Sequence, residues 1–465
     1  MQNHIKINYY TNYNTTIKQL LRRTLVQLIR YATKKDLNMK KILIITSALV
    51  LTINLHAQVK SNAELKSLIN QAFAYFPKIK EIENTVTTSE QKLALTKLNN
   101  LPEVTGNASY AYIQPKIVLP FNGVDFQFAP VHALNTSIDG SYTLLDFGRF
   151  KANVEKSKDE LQFSKHNVEN VKNQLAYQVA QVYYNIVYIK KAITIQDSII
   201  NFLTDNKRIV ENKLKNGDAL KLDILNIETQ LNEEQNRKVD LQNTLNKQLF
   251  LLEYTTGIKQ AIGNSFDFDI NLTDATTALT TAQTNNIDFA LAKDKIKQAE
   301  NDVTVAKTID KPVVAIKAST GIKNGYVPNV GDMRFNYNAG VGLSIPIYNG
   351  GKTKQQIKLA ENIVKQNQLA VETLNNNYKK DIQQTIEDIA SNLERIKYTQ
   401  GQINDAKYAQ RLAATRFQNG VSTNIELTNA ATATARIQLT ELRYQFQLCL
   451  AKIELTKLMG YNYWQ

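Results

Sequence analysis

The chain has 465 residues, of which 43% are hydrophobic and 21% are charged, as in an ordinary folded protein. Its formal net charge is +14, but residues 1–57 contain nine lysines and arginines and only one acid, so they carry +8 of that charge. The remaining chain lacks the strong basic excess and the aromatic-interleaved basic patch of a nucleic-acid-binding protein. We therefore expect no nucleic-acid partner.

The first recognisable element is a predicted secretory signal peptide at residues 39–57, MKKILIITSALVLTINLHA. Two lysines precede an apolar run of 14 residues from Ile42 to Leu55, and the end at Ala57 fits a cleavage site. A membrane-spanning helix needs about 20 apolar residues, which leaves a buried helix or a short anchor as the alternatives. We interpret the upstream residues 1–38 as a non-native extension and Met39 as the start.

The single cysteine of the chain, Cys449, bears on how the exported protein is stabilised. One cysteine cannot form a disulfide within the chain, and it lies too far from the cleavage site to accept a lipid. An exported protein of this kind must be stabilised by packing and assembly.

The mature chain contains an internal duplication at an offset of 203 residues. Three pairs of matched positions keep the same offset, which favours a real repeat over chance similarity between helices. We predict a first structural repeat at 58–260 and a second at 261–465. The matched positions are 144–150 (LLDFGRF) with 347–353 (IYNGGKT), Gly217 with Gly420, and Gly257 with Gly460.

Each repeat is predicted to contain one very long helix. The first runs over 149–215 and would be about 100 Å long at the rise of an α-helix. Shorter helices are expected over 61–100 and 219–256, and stacked end to end they would roughly match the long one. A seven-residue apolar repeat predicts helices wound side by side in a left-handed supercoil. The repeating positions are Val154, Leu161, Val168, Leu175, Val182 and Ile189 in the first copy, and Ile382, Ile389, Ile396 and Ile403 in the second.

Two extended segments alternate apolar and polar residues with the period of a β-strand. They are 134–144 and 335–346, with weaker partners at 104–112 and 313–320, which gives one hairpin per repeat and four strands per chain. The segment 120–130 fits either a loop or a strand. The residues predicted to face a membrane are Leu134, Ile138, Tyr142, Phe335, Tyr337, Val341 and Leu343.

A sheet with one apolar face is either half-buried in a soluble protein or part of a transmembrane barrel. No helix with an apolar surface on all sides is available to cover that face, so we favour the barrel. Bacterial barrels have about eight strands or more. Four strands therefore require several chains, each of which donates two hairpins.

These features together resemble the TolC-type outer-membrane efflux protein family. The resemblance covers nearly all of 61–460. It depends on the duplication and on four segments in this order and spacing. The segments are LLDFGR (144–149), KLKNGDALKLDILNIETQL (213–231), IPIYNGGK (345–352) and RFQNGVSTNIELTNA (416–430).

The resemblance implies a mainly α protein with membrane β-strands, in which duplicated helical hairpins form a trimeric α-barrel. It also implies a 12-stranded transmembrane β-barrel to which each chain gives four strands. The expected location is the outer membrane, in contact with its lipid, with an extension into the periplasm. The expected role is the passive exit duct of a tripartite efflux pump or a type I secretion system. The implied partners are a periplasmic adaptor, or membrane fusion protein, and an inner-membrane transporter.

The resemblance also implies functional residues near the two Asn-Gly turns. Acids six residues after the turn glycine, Asp223 and Glu426, would line the constriction. The positions nine residues after it carry Asn226 and Asn429, where the family has acids. A basic latch residue of the family is replaced by Ser422. The adaptor-docking tips would be Asn216, Gly217, Arg416, Phe417, Asn419 and Gly420.

Nothing in the sequence favours an enzyme. The mature chain has two histidines, one cysteine and no nucleophile or phosphate-loop motif, so we predict no catalytic residue, no cofactor and no metal site. The alternative function is a periplasmic coiled-coil adaptor or structural protein without a membrane barrel. Adaptors carry one helical hairpin between soluble β-domains, whereas this chain has two hairpins and little sequence left for such domains.

Overall fold

The computed structural model describes residues 59–121, 123–261 and 263–465. The predicted signal peptide (39–57) and the upstream extension (1–38) lie outside the described residues. Eight helices are described: α1 (Ala63–Tyr75), α2 (Pro77–Leu98), α3 (Arg149–Lys215), α4 (Lys221–Thr256), α5 (Ala275–Asn285), α6 (Ile287–Lys307), α7 (Lys352–Gln418) and α8 (Asn424–Leu458). The described strands are β1 (Val59–Lys60), β2 (Glu103–Tyr112), β3 (Val118–Phe121), β4 (Val124–Gln127), β5 (His132–Leu145), β6 (Asp269–Ile270), β7 (Val313–Lys323) and β8 (Arg334–Ser344).

The two long helices, α3 and α7, each contain 67 residues. At 1.5 Å per residue each is about 100 Å long. Their first residues, Arg149 and Lys352, are 203 positions apart, the offset seen in the sequence. The predicted bounds of α3 and the mainly helical fold are confirmed. The division of the chain at 260/261 stays a prediction.

The seven-residue rows lie on the packed sides of these helices. Val168, Leu175, Val182 and Ile189 are at most 6% exposed. In α7 the positions Ile382, Ile389 and Ile403 are also buried, and Ile396 is half-buried. The apolar period therefore predicted the packed face of both rods.

The predicted single helix over 61–100 is wrong, because the structure has two helices that meet at Phe76 and Pro77. Phe76 is extended, with φ −69° and ψ 118°, and Pro77 is the first residue of α2. A proline disfavours the helical conformation in the residue before it and lacks the N–H that would continue a helix. The second repeat has the same break without a proline, since the side chain of Asn286 caps α6 by accepting from Asp288 N.

The short helices lie end to end along the long one, as expected. The hydroxyls of Ser89 in α2 and Ser164 in α3 are 2.8 Å apart. Further along α3, Lys207 pairs with Glu228 of α4 at 2.7 Å. The helical layer therefore has the order α4, α3, α8, α7, with α3 in contact with α4 and α8, and α8 in contact with α7. Its outer flanks are formed by α2 and α4 on one side and by α7 on the other.

The main sheet has four antiparallel strands in the order β2-β5-β7-β8. The central pair joins the two repeats, with Ile138 opposite Thr320. The edge strands β2 and β8 have no partner among the described residues on their outer sides. Between β2 and β5, strands β3 (Val118–Phe121) and β4 (Val124–Gln127) form a separate antiparallel pair, so the segment left open by the sequence contains strands.

Candidate functional site

The two turns at the far end of the hairpins have the same backbone geometry. Gly217 and Gly420 have φ values of 81° and 73°, a region that glycine occupies without strain. Asp218 N donates to Lys213 O and Val421 N donates to Arg416 O, both at 2.8 Å. These bonds close a Schellman motif at the end of each long helix. An alanine Cβ at either glycine would meet no atom within 4 Å, so the backbone angle and not packing requires glycine here.

The acids predicted for the constriction lie in the first turn of the returning helices. Asp223 is half-buried and its carboxylate accepts from Leu220 N at 2.9 Å. Glu426 is exposed, and its own N–H donates to the side chain of Thr423 at 3.3 Å. Acids in a first helical turn are favoured by the helix dipole. Both residues therefore help to start their helices. Their negative charges lie at the tip.

The positions one turn further along carry neutral amides. Asn226 is half-buried in α4 and Asn429 is exposed in α8. The four candidate constriction residues thus form two levels, one with acids at the start of the helices and one without charge.

Phe417 differs from the other predicted tip residues because it is only 8% exposed. Its ring packs with Val210, Ile227 and Leu427, and the ammonium of Lys213 lies 4.3 Å from the ring centroid. The ring therefore stabilises the contact between the two hairpins and offers no surface for a partner. The other five predicted positions, Asn216, Gly217, Arg416, Asn419 and Gly420, are exposed.

A pair of buried amides joins the hairpins just above the tip. The side chain of Asn206 in α3 donates to the side chain of Asn424 in α8 at 2.6 Å, and these residues are 2% and 4% exposed. Asn206 Oδ1, Asn424 Nδ2 and Ser422 Oγ are buried without a hydrogen-bond partner among the described residues. The residue in the family's latch position is therefore a small buried hydroxyl.

Sequence reasoning missed exposed apolar residues at the tip. Leu220, Leu222 and Val421 are 67%, 60% and 65% exposed. Val421 directly follows Gly420, and Leu220 lies three residues after Gly217, but apolar residues at a helix start are more often buried than exposed. Their exposure follows from the way the hairpins pack, which the sequence pattern does not reveal.

At the opposite end of the molecule, the sheet has one apolar and one polar face. The residues predicted to face a membrane lie on the same side, since Tyr142 is opposite Ile316 and Ile316 is opposite Val341. Phe335, Tyr337, Val341 and Leu343 are 61–80% exposed. On the other side, the carboxylate of Asp139 accepts from Asn107 at 2.6 Å and from Ser137 at 2.9 Å. That polar face surrounds a cavity of about 480 Å³ lined by Glu103, Thr105, Asp139, Gly140, Ser141, Lys317, Ala318, Ser319 and Asn338.

The described residues contain neither a helix that could cross a membrane nor a cluster of metal ligands. None of their helices has both the length and the apolar character needed to cross a membrane. Their His, Cys, Asp and Glu side chains form no group of three that could hold a metal ion. The two histidines have separate partners, since His132 contacts Tyr110 and His166 pairs with Asp294.

The model of the family described as "Outer membrane efflux protein" matches residues 68–257 and 278–461. An uncharacterized protein of Haemophilus influenzae is 22% identical over 401 residues, which are 83% of this chain and 84% of that protein. Both findings extend over nearly all of the two predicted repeats.

Several solved structures have a similar fold. The CusC structure is 18% identical with a TM-score of 0.73, and the match covers 86% of this chain and 93% of that one. The outer membrane protein VceC of Vibrio cholerae is 16% identical with a TM-score of 0.71, covering 86% and 97%. The open outer membrane channel MtrE of Neisseria gonorrhoeae is 16% identical with a TM-score of 0.69, covering 85% and 89%. At these identities the likeness establishes the fold.

Proposed function

The chain belongs to the outer membrane efflux protein family, and we propose that it forms the passive exit duct of a tripartite efflux pump or a type I secretion system. As a family member it is an outer-membrane efflux protein. The proposed duct performs no covalent chemistry. Its function depends on which solutes can enter it, on the diameter of its lumen and on the charge along its wall. We propose no enzymatic activity and no resident cofactor.

The observation that carries this proposal is that both layers of the molecule have open flanks. The sheet exposes the outer edges of β2 and β8, and all ten residues of β2 are exposed. Unpaired strand edges and a contiguous apolar face are unfavourable in water, and an open edge is equally unfavourable in lipid. Further copies of the chain would pair the open strand edges, and lipid would cover the apolar face.

Three copies give a closed arrangement. Four strands from each chain make a barrel of 12, which is within the range of about 8 to 26 strands known for bacterial barrels. Strands of 10–14 residues, tilted as in such barrels, would span about 30 Å, the thickness of a bilayer core. In this trimer, β8 of one protomer pairs with β2 of its partner, and α7 of one packs against α2 and α4 of its partner. The polar sheet face lines the lumen, and the apolar face that contains Leu134, Ile138 and Phe335 contacts outer-membrane lipid.

The tip end would lie in the periplasm and dock the adaptor, which couples the duct to an inner-membrane transporter. Five of the predicted positions, Asn216, Gly217, Arg416, Asn419 and Gly420, remain in this proposal. The exposed apolar side chains of Leu220, Leu222 and Val421 are added to it, because apolar side chains at the centre of an interface supply much of its binding energy. Phe417 is removed as a contact residue because its ring is buried.

The same end would contain the constriction. Symmetry repeats Asp223 and Glu426 around the axis, so three copies place six acids in the first turns of the returning helices. A ring of carboxylates attracts cations and repels anions. The second level, Asn226 and Asn429, supplies diameter but no charge.

Reconstitution tests the proposal directly. The purified mature protein, added to a planar lipid bilayer, should give discrete conductance steps, and chemical cross-linking should give trimers. Cell fractionation should recover it in the outer membrane. A soluble monomer in the periplasm without channel activity would refute the duct and favour the periplasmic adaptor or structural protein.

A further inference from the structure

Each of the two long hairpins has one helix that starts at the tip and one that starts beside the sheet. The charged side chains at these two kinds of helix start have opposite signs. At the tip, α4 and α8 have Asp223 and Glu426 in their first turns. Next to the sheet, α3 and α7 have no acid in their first turns. In α7 the first and third residues are Lys352 and Lys354 instead. Lysines near a helix N-terminus oppose the helix dipole, so helix stability does not explain them.

Six lysines lie within about one turn of the helix ends beside the sheet, and Lys358 lies in the second turn of α7. All seven are exposed, and none of their ammonium groups forms a hydrogen bond or an ion pair with a described residue. We call them the basic belt. The basic belt consists of Lys97, Lys151, Lys307, Lys311, Lys352, Lys354 and Lys358.

The acids near the basic belt are engaged elsewhere. Asp146 accepts from Gly148 N at 3.0 Å, and Asp310 accepts from the side chains of Asn349 and Thr353 at 2.7 Å. Glu103, the first residue of β2, belongs to the polar face of the sheet. The other nearby acids form ion pairs with lysines outside the belt: Glu155 with Lys158 and Asp302 with Lys156. Hydrogen bonds from neutral donors leave Asp146 and Asp310 charged, but the seven lysines outnumber Asp146, Asp310, Glu103 and Glu300, so the belt region has a net positive charge.

Exposed apolar and aromatic side chains lie between the sheet and the basic belt. Phe147, Ile347 and Tyr348 are 55%, 94% and 90% exposed. Along the chain the order is thus apolar sheet face, aromatic residues, lysines. The same order of apolar, amphipathic and charged groups is found across one leaflet of a bilayer, from hydrocarbon core to headgroups.

The opposite end of the sheet lacks this feature. That end contains three basic residues, Lys116, Lys323 and Arg334, and two acids, Asp125 and Asp332. A dense group of lysines is therefore not a general property of the segments that border the sheet. The lysines are concentrated at the end where the strands continue into the helices.

We propose that the basic belt binds the headgroups of anionic phospholipids in the membrane leaflet that faces the helices. This inference rests on the proposed function, because it requires the sheet to lie in a bilayer. Clusters of four to eight lysines beside a membrane-spanning element attract anionic lipid, and the attraction falls with ionic strength. The belt fixes the depth and orientation of the duct relative to the bilayer surface.

The test uses the full-length mature trimer in detergent and phosphatidylglycerol as the anionic lipid. Fluorescent phosphatidylglycerol or phosphatidylcholine is titrated, and binding is followed by anisotropy at low and high salt. The belt variant carries Lys307→Gln, Lys311→Gln, Lys352→Gln and Lys354→Gln. The control variant carries Lys215→Gln, Lys221→Gln, Lys247→Gln and Lys407→Gln, four exposed lysines far from the sheet that change the net charge equally.

The belt variant should bind phosphatidylglycerol roughly tenfold or more weakly at low salt, whereas its binding of phosphatidylcholine should equal that of the wild type. The control variant should retain the wild-type preference. Equal loss in both variants, or no loss in either, would overturn the proposal. A change in channel ion selectivity without a change in lipid binding would also overturn it, because the lysines would then line the lumen.

The wild-type protein separates this inference from the proposed function. If it forms no conducting trimer in a bilayer of phosphatidylcholine alone, the duct itself is refuted. If it conducts there and shows no preference for phosphatidylglycerol, only the basic belt is refuted. A pair variant, Lys352→Gln with Lys354→Gln, gives a smaller loss of the same sign if the fourfold variant does not assemble.

Discussion

The middle of the rods and their tip are packed in different ways. In the middle, Tyr183 and Tyr184 of α3 are fully buried, and their hydroxyls donate to Glu64 at 2.8 Å and to Asp267 at 3.0 Å. They belong to a large apolar cluster that includes residues from both repeats. At the tip, a small cluster of four buried side chains, Phe417 among them, lies beside the buried amides of Asn206 and Asn424.

This difference indicates where the molecule is rigid and where it can move. Buried phenols with carboxylate partners are satisfied, and they fix one arrangement of the surrounding helices. Buried polar atoms without partners cost about 1–3 kcal/mol each. Among the described residues, three such atoms lie at the tip, whereas the large middle cluster contains one, the hydroxyl of Tyr463. With a cluster of four buried side chains beside them, the three atoms make the tip the less stable end of the rod.

The largest expected effect comes from the same glycine substitution in the two regions. Gly420 at the tip and Gly460 in the middle have φ values of 73° and 75°. An alanine Cβ at Gly460 would lie 2.6 Å from the backbone N of Asn286, whereas one at Gly420 would lie in open space. Gly460→Ala should lower the free energy of unfolding by about 3–5 kcal/mol, and Gly420→Ala by about 1 kcal/mol.

Urea unfolding in detergent, followed by circular dichroism, measures both variants. Because the backbone angle is nearly the same at both glycines, Gly420→Ala is the matched control for backbone strain. The additional loss in free energy of unfolding at Gly460 then measures the steric clash. Equal losses at the two positions would mean that the tip is packed as tightly as the middle.

A second comparison removes the amide pair at the tip. Asn424→Leu leaves the Asn206 amide buried without its hydrogen bond and should destabilise the tip by about 1–3 kcal/mol. Replacing both residues by leucine removes both polar groups and should restore or increase stability. Hydrogen exchange of the backbone amides next to Asn206, measured by mass spectrometry, reports local opening.

The control for the amide pair is Asn429→Leu, an exposed position in the same helix, which should leave exchange at the tip unchanged. If the single and double variants exchange alike, the two amides are not coupled and the comparison between tip and middle is weakened.

The sequence pattern did not reveal most of this difference in packing. The seven-residue rows predicted the packed faces of α3 and α7, because a helical period is a local property of the chain. The burial of Phe417 depends on Val210 and Ile227, which come from the other repeat. A pattern around one turn cannot reveal a neighbour some 200 residues away, so Phe417 was taken for an exposed tip residue.

The helix break at Phe76 was missed for a different reason. Pro77 was visible in the sequence, and a proline at the first helical position is a known start signal. The apolar period on both sides of it suggested one continuous helix, but the backbone restriction before proline is stronger than a side-chain pattern. The four strands of the main sheet were located correctly because their alternation is also local. The expectation of four strands per chain missed the β1-β6 and β3-β4 pairs, whose strands of two to four residues are too short to show an alternation.

Alkaline pH should destabilise the middle of the rods through the buried phenol of Tyr378. Burial, and then the hydrogen bond to Asp288 at 2.6 Å, raise the pKa of Tyr378 above its ordinary value of 10.0. The folded protein keeps this phenol protonated where the unfolded chain loses its proton. The stability it contributes is therefore complete below pH 10 and is lost as the pH rises above it, by about 1.4 kcal/mol per pH unit.

Tyr378→Phe should flatten this alkaline loss, although it costs about 1 kcal/mol at neutral pH through the lost hydrogen bond. Urea midpoints between pH 8 and pH 11 measure the slope. Tyr408→Phe, at a position 64% exposed in the lower half of α7, is the control and should leave the slope unchanged. An identical slope for Tyr378→Phe and the wild type would show that this phenol does not couple folding to pH.

The smallest expected effect concerns the charge of the tip. Asp223→Asn keeps an oxygen that can accept from Leu220 N, a bond of 2.9 Å in the structure, and Glu426→Gln keeps the size of its side chain. The double variant therefore removes six charges from the proposed trimer with little change in the fold. In a salt gradient across a planar bilayer, its reversal potential should shift towards zero as cation preference falls.

The control is Asp240→Asn with Asp405→Asn, two exposed acids further from the turns, which should shift the reversal potential less. If the tip variant and the control shift the reversal potential equally, or neither shifts it, Asp223 and Glu426 do not line the constriction, and their role is limited to helix initiation.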